Sequence, residues 1–160
     1  MPDMLVKLYA LPDISQLKAQ IEQSGIIFKR ALAMDKNLIL EFISSHFGKN
    51  GSSWASECEV ALLRHPTACY VAVLQKKIIG FACYDSSAKG FFGPLGVSSI
   101  HRKQGIGKVL LIQCLRAMEM EGYGYGIIPW VSSVDYYQKV LGAEVIKGSE
   151  PGIYHRRIQH

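Results

Sequence analysis

Apolar positions in this chain recur with two periods, and the switches between them predict most of its elements. Residues 4–11 are a run of apolar β-formers and predict a strand, ended by Pro12-Asp13. Ile14, Leu17 and Ile21 then recur at helical spacing across residues 13–24, and Gly25 stops that helix. Residues 26–32 predict a second strand. Asp35 is placed to cap a helix through Phe47, whose apolar stripe is Leu38, Ile39, Phe42 and Ile43. Residues 48–53 read as a loop. Ser53 reads as the cap of a helix to Arg64, closed by Pro66.

Residues 68–74 and 78–84 predict a hairpin joined by Gln75-Lys76-Lys77. Residues 91–97 predict another strand, in which Gly93-Pro94 implies a bulge or a distorted edge. Residues 104–121 form the longest helix. Its apolar residues cover a wide arc, as expected of a helix buried against a sheet. A strand over 123–131, a short helix over 134–141 ending at Gly142, and short strands over 143–146 and 152–157 complete the chain. The order predicts an α/β (α+β) fold, with a mixed, mostly antiparallel central sheet and helices on both faces. No repeat or linker divides residues 1–160, so one domain is expected.

Composition narrows the function classes. The 160 residues, 49% hydrophobic and 19% charged, suit one globular domain that needs no staples. The net charge of +5 is scattered, densest over residues 101–108, with no Lys/Arg block of the kind that binds nucleic acid. Cys58, Cys69, Cys83 and Cys114 have no C-x-x-C spacing and no histidine at zinc-finger distance. They are expected to be buried reduced thiols, with no metal. Met1-Pro2-Asp3-Met4 lacks the basic and apolar regions of a signal peptide, and no apolar run reaches the roughly 18 residues of a membrane span. A cytoplasmic protein with no membrane partner is expected.

The chemistry concentrates at residues 97–109. A strand ends, a basic loop follows, and a long helix opens on two glycines. The first turn of a helix presents backbone N–H groups without partners, and with the helix dipole these favour an anion. Gly105 and Gly107 lack Cβ atoms, so a phosphate can approach the backbone. Arg102, Lys103 and Lys108 add positive charge. A P-loop is excluded, because Arg102 stands where its first glycine belongs and Val109 where its Ser/Thr belongs. A dinucleotide fingerprint fails at Leu110. The remaining pattern is R-x-x-G-x-G after a strand.

That pattern, Arg102-Lys103-Gln104-Gly105-Ile106-Gly107, resembles the coenzyme A motif of the GCN5-related N-acetyltransferases (GNAT family). The hairpin over 68–84, with Ile79-Gly80-Phe81-Ala82, resembles the family's second and third strands, and 91–97 its fourth. Residues 134–143 resemble its later F-Y-x-K-x-G-F segment, with one extra residue before Gly142. The resemblance covers roughly residues 25–158, leaving 1–24 as an N-terminal strand-helix extension. That strand is free to pair within the chain or with a second copy, which would give a homodimer.

The resemblance implies roles. Backbone groups of Val97 and Ser99 would pair with the pantetheine arm of acetyl-CoA. Amides of Gln104, Gly105, Ile106, Gly107 and Lys108 would hold the pyrophosphate, beside Arg102 and Lys103. An N–H near Val97 would polarise the thioester carbonyl. Tyr137 would protonate the departing thiolate, and Tyr136 would face elsewhere. The acetyl group would pass to an amine of a small molecule or a protein. A non-catalytic CoA-binding sensor or interaction module is the alternative, because the strand over 91–97 has none of the family's acids. Glu41, His46, Glu57, Glu59, Asp85 and His101 are the remaining candidates for a base. Trp54, Glu57 and Trp130 are the candidates for the acceptor site. His155 and His160 read as surface residues.

Overall fold

The computed structural model describes residues 1–159 and divides the strands between two sheets. The first has the order β2 (Ile27–Arg30), β3 (Cys69–Leu74), β4 (Lys77–Tyr84), β5 (Phe92–Val97), antiparallel throughout. The second has the order β6 (Tyr125–Ile128), β1 (Met4–Lys7), β7 (Glu144–Val145), also antiparallel. A parallel bridge between Phe91 and Ile127 joins the two sheets, and there the Ile127 N–H donates to the Gly90 carbonyl at 2.9 Å. His160 lies outside the described residues.

Both residues of the hairpin turn are left-handed, Gln75 at φ 49° and Lys76 at φ 65°, as a two-residue turn requires. Lys77 pairs with Leu74 and so belongs to the strand, not to the turn. Gly93 and Pro94 do form a bulge. Three steps along β5, from Phe92 to Leu95, face two along β4, from Tyr84 to Ala82. β5 is an edge strand of its sheet, where proline's missing N–H is tolerated.

The helices are α1 (Ser15–Glu22), α2 (Lys36–His46), α3 (Gly51–Leu62), α4 (Ile106–Met120) and α5 (Val134–Leu141). α4 buries Val109, Leu110, Leu111, Ile112, Cys114 and Leu115. It rests on β4 where Gly80 has no side chain: a Cβ there would lie 3.2 Å from Leu110. α2 and α3 cover the opposite face through Phe42, Phe47 and Trp54. No helix among the described residues is long and apolar enough to cross a membrane.

Several local expectations are corrected. Residues 48–53 are not a loop, because a 3-10 turn over Gly48–Asn50 runs straight into α3. Gly51 permits this: a Cβ there would lie 2.9 Å from the Ser44 carbonyl of α2. Ser53 therefore sits inside α3, its hydroxyl donating to the Asn50 carbonyl at 3.2 Å. Asp35 does not cap α2. Its carboxylate turns back to accept the Leu32 N–H at 3.1 Å and Lys29 Nζ at 2.9 Å.

The chain ends differ most from expectation. β1 is the central strand of the second sheet, with Met4 opposite Ile128 on one side and Val145 on the other. Met4 and Val6 are fully buried. β1 therefore pairs within the chain on both sides, along its whole length with β6 and at Met4 and Leu5 with β7. The strand expected over 152–157 is a 3-10 turn over Gly152–Arg156, opened by Pro151 and by Gly152 at φ 63°.

Asp85 fixes the turn that leads into β5. Its side chain is 6% exposed and accepts from Arg64 at 2.8 Å, the Tyr123 hydroxyl at 2.9 Å and the Gly90 N–H at 2.7 Å. Asp85→Ala removes the acceptor from three donors at once. It is expected to cost about 3 kcal/mol of stability. Urea unfolding measures this, and a midpoint equal to the parent's would refute the structural role.

Candidate active site

The strand pairing decides which backbone groups of β5 are free. The Ser98 N–H donates to the Ile79 carbonyl at 2.8 Å, so the opposed residues Gly80 and Val97 exchange no hydrogen bonds. Val97 therefore directs both its N–H and its C=O away from β4, and by the pleat Leu95 does the same. Beyond the Phe91–Ile127 bridge no strand covers this edge among the described residues. The result is a cleft of about 610 Å³, lined by Phe47, Trp54, Leu95, Gly96, Val97, His101, Arg102, Lys103, Gly105, Ile106, Gly107, Lys108 and Tyr136.

The first turn of α4 forms the other wall. Lys103 at φ 63° and Gly105 at φ 90° are both left-handed, and together they swing the chain into the helix. No side chain caps this terminus. The first bond within the helix is Val109 N–H to the Gly105 carbonyl at 3.1 Å, so the amides before Val109 lack helical acceptors.

The two glycines have different reasons. A Cβ on Gly105 would lie 3.1 Å from Leu17 of α1 and would sit on strained backbone. Gly105 thus serves the turn and the packing of α1, not the approach of a ligand as expected. A Cβ on Gly107 would touch protein only at Val97, at 3.7 Å, and would otherwise stand in the cleft. Gly107 is the glycine that keeps the cleft open.

Charge in the cleft has one sign. Arg102, Lys103 and Lys108 line it, and no carboxylate does. Arg102 also donates through Nε to the Val97 carbonyl at 3.1 Å, which leaves the Val97 N–H as that residue's free group. Away from the helix terminus the lining is aromatic. Phe47 packs directly on β5, since a Cβ on Gly96 would lie 2.6 Å from its ring.

The expected site residues divide as follows. Val97, Arg102, Lys103, Gly105, Ile106, Gly107, Lys108 and Trp54 come together in the cleft. Ser99 does not: the strand has ended, and Ser99 is exposed in a 3-10 turn over Ser99–His101. Leu95 holds the outward register that Ser99 was expected to share. Gln104 is exposed beside the cleft without lining it.

Of the two tyrosines, Tyr136 lines the cleft, whereas Tyr137 packs against the core at the edge of Tyr136. Burial pushes the Tyr137 hydroxyl up to about 12, and burial also raises that of Tyr136.

Glu57 accepts from the Ser87 hydroxyl at 2.8 Å and does not line the cleft. Trp130 stacks on Tyr154 with ring centroids 4.7 Å apart, in a separate concavity formed with the C-terminal turn. Among the candidate bases, Glu59 pairs with Lys36, Asp85 with Arg64, and His46 with the Phe42 carbonyl. Glu41 is exposed on α2. Only His101 of that group reaches the cleft, its Nδ1 2.7 Å from the Ser98 hydroxyl. Phe47 and Leu95 are lining residues that the sequence reading missed.

The sequence profile of the Acetyltransferase (GNAT) family matches residues 37–143. No curated protein sequence matches the chain. Among solved structures, a GCN5-related glucosamine N-acetyltransferase region of a fungal multi-domain GH3 β-N-acetylglucosaminidase superposes with a TM-score of 0.71 at 15% identity. That match covers 91% of this chain and 19% of the other. A GCN5-related N-acetyltransferase from Sphaerobacter thermophilus gives 0.67 at 19% identity, over 91% and 48%. One from Kribbella flavida gives 0.56 at 16% identity, over 90% and 53%. The chain thus spans between about a fifth and about half the length of these structures, and at such identities the likeness is one of fold.

Proposed function

The chain belongs to the GNAT acetyltransferase family, and from that premise we propose that it binds acetyl-CoA in this cleft and transfers the acetyl group to an amine. One observation carries the reading. The free backbone edge of β5 and the uncapped, cation-flanked terminus of α4 face the same cleft, and Gly107 leaves the approach to that terminus open. Leu95 and Val97 offer an extended amide chain its missing strand partner. The amides of Gly105, Ile106, Gly107 and Lys108 suit a diphosphate, with Arg102, Lys103 and Lys108 balancing its charge.

The chemistry follows from these groups. A neutral amine attacks the thioester carbonyl carbon, and the negative charge on the carbonyl oxygen is met by the outward Val97 N–H. The C–S bond breaks, the sulfur leaves as a thiolate, and Tyr136 donates a hydrogen bond or proton to it. The attacking nitrogen passes its proton to water or to His101, since no carboxylate lines the cleft and His101 is the one candidate base that does. The acceptor is a small-molecule or protein amine, and the transfer itself uses no metal and takes place in the cytoplasm.

The same lack of a carboxylate favours the second reading, a CoA-binding module without catalysis. Purified protein mixed with acetyl-CoA and an amine panel separates the two when free thiol is followed. Thiol release that depends on an amine supports transfer. Tight CoA binding with no acceleration by any amine in the panel leaves only the module.

A further inference from the structure

Cys58 on α3, Cys69 on β3 and Cys83 on β4 are each 0% exposed, and their sulfur atoms all lie within 4.8 Å of one another. Cys58 Sγ and Cys69 Sγ are 3.9 Å apart. Three different elements deliver the three thiols. Cys69 and Cys83 stand directly opposite on antiparallel strands. The Tyr84 N–H donates to the Ala68 carbonyl at 3.0 Å, which makes them a non-hydrogen-bonded pair, the kind in which side chains stand closest.

A bulge in β4 at Ile79 sets this register. Without it Cys69 would oppose Ala82, and Cys83 would turn away. Cys58 arrives from above, one helical turn beyond Trp54 on α3. The fourth cysteine, Cys114, is on α4, across the sheet. Gly80 faces α4 through Leu110, whereas its neighbour Phe81, and so Cys83, faces Trp54 and α3.

We propose that Cys58, Cys69 and Cys83 form a binding site for a soft monovalent metal ion, Cu(I), held by three sulfurs in a water-free trigonal site. Sulfur ligands select Cu(I), zinc and iron–sulfur clusters. Structural zinc needs four protein ligands and the clusters need four cysteines. Here three donors converge, and the fourth cysteine lies outside the group. Full burial leaves no water to complete a tetrahedron. With metal–sulfur bonds of about 2.3 Å, sulfurs at the corners of a planar triangle sit about 4.0 Å apart, close to the separation already present.

Charge balance also suits a monovalent ion. One thiolate and two neutral thiols neutralise Cu(I), so the ion adds no net charge to the core. One proton leaves for each thiol that becomes a thiolate, and no electron is transferred. Occupancy ties α3 to β3 and β4, and so stiffens the helix that carries Trp54 into the cleft.

The test uses the full chain, reduced and anaerobic. Cu(I) is titrated in competition with a chromogenic Cu(I) chelator, while the ultraviolet thiolate-to-copper charge-transfer band and the melting temperature are followed. The expected result is one equivalent per folded chain, a new band and a higher melting temperature. Cys114→Ser should match the parent. Cys58→Ala and Cys83→Ala, which leave small apolar groups in the core, should each weaken uptake at least tenfold and lose the band. Absence of uptake by the folded parent overturns the proposal. So does equal uptake by the parent, Cys58→Ala and Cys114→Ser, or uptake only after unfolding in urea.

Discussion

Gly107→Glu is expected to abolish coenzyme A binding while leaving the fold as stable as the parent's or slightly more so. The two effects have opposite signs because two different things act on residue 107. The helix gains from the change. Glycine is a poorer helix former than alanine, and an acid in the first turn adds about 0.3–1 kcal/mol through the dipole. The protein has room for the side chain, since the only atom near a Cβ at 107 is Val97 Cγ2 at 3.7 Å. The ligand loses on every count. The carboxylate would occupy the site of the diphosphate, satisfy the amides meant for it, and face it with like charge. A loss of at least 100-fold in affinity, about 2.8 kcal/mol, is expected. Gly107→Ala is the graded case, with a similar gain in stability and about a tenfold loss in affinity. Calorimetric titration with CoA, beside thermal melts, measures both quantities. If Gly107→Glu binds CoA within threefold of the parent, the diphosphate does not sit at this terminus. If binding and stability fall together, the glycine serves the fold instead.

The parts of this site that were legible in the sequence are those encoded locally. A left-handed turn, an uncapped helix start and a basic loop lie within a few residues of one another, so residues 102–107 read as a candidate anion site from local sequence alone. The hairpin and α4 were equally local. What was not legible depends on contacts between distant segments. Nothing in residues 4–7 says that they will lie between β6 and β7, because Met4 meets Val145 only once everything between them has folded. Residues 152–157 carry apolar Ile153 and Tyr154 and resemble a last strand, but with β1 between its two neighbours that segment is a 3-10 turn. The cysteines are a sharper case. Sequence separations of 11 and 14 residues carry no metal signal, and even the hairpin register misplaces Cys69 by one residue unless the bulge at Ile79 is known. The role of Leu95 was recoverable in principle. Once residues 91–97 are taken as an edge strand, Leu95 and Val97 must point the same way, whereas Ser99 follows the strand's end.

Tyr136→Phe is expected to lower kcat for acetyl transfer by about 100-fold, and Tyr137→Phe to leave it within twofold. The resemblance that pointed to Tyr137 has an extra residue before Gly142, so it does not fix the phase of α5, and neighbours on a helix face about 100° apart. Packing fixes the phase instead. Tyr137 turns to the core, and Tyr136, 43% exposed, turns to the cleft beside the β5 edge. Burial raises the Tyr136 hydroxyl above its usual value, so at neutral pH it carries its proton. It can therefore donate to the developing thiolate without first losing its proton. The KM for acetyl-CoA should change little, because the hydroxyl meets charge that exists only as the C–S bond breaks.

The two tyrosines also differ in what they do to stability. With a folded value of about 12 against about 10 unfolded, Tyr137 keeps its proton in the folded chain while the unfolded chain loses it. Stability is therefore intact below pH 10 and falls by up to roughly 2 kcal/mol as the pH rises to 12. Tyr137→Phe should flatten that fall. Alkaline melts together with steady-state rates on both variants separate the residues. If Tyr137→Phe loses the rate and Tyr136→Phe keeps it, the donor to the sulfur reaches the cleft from the core side, and α5 must move when acetyl-CoA binds.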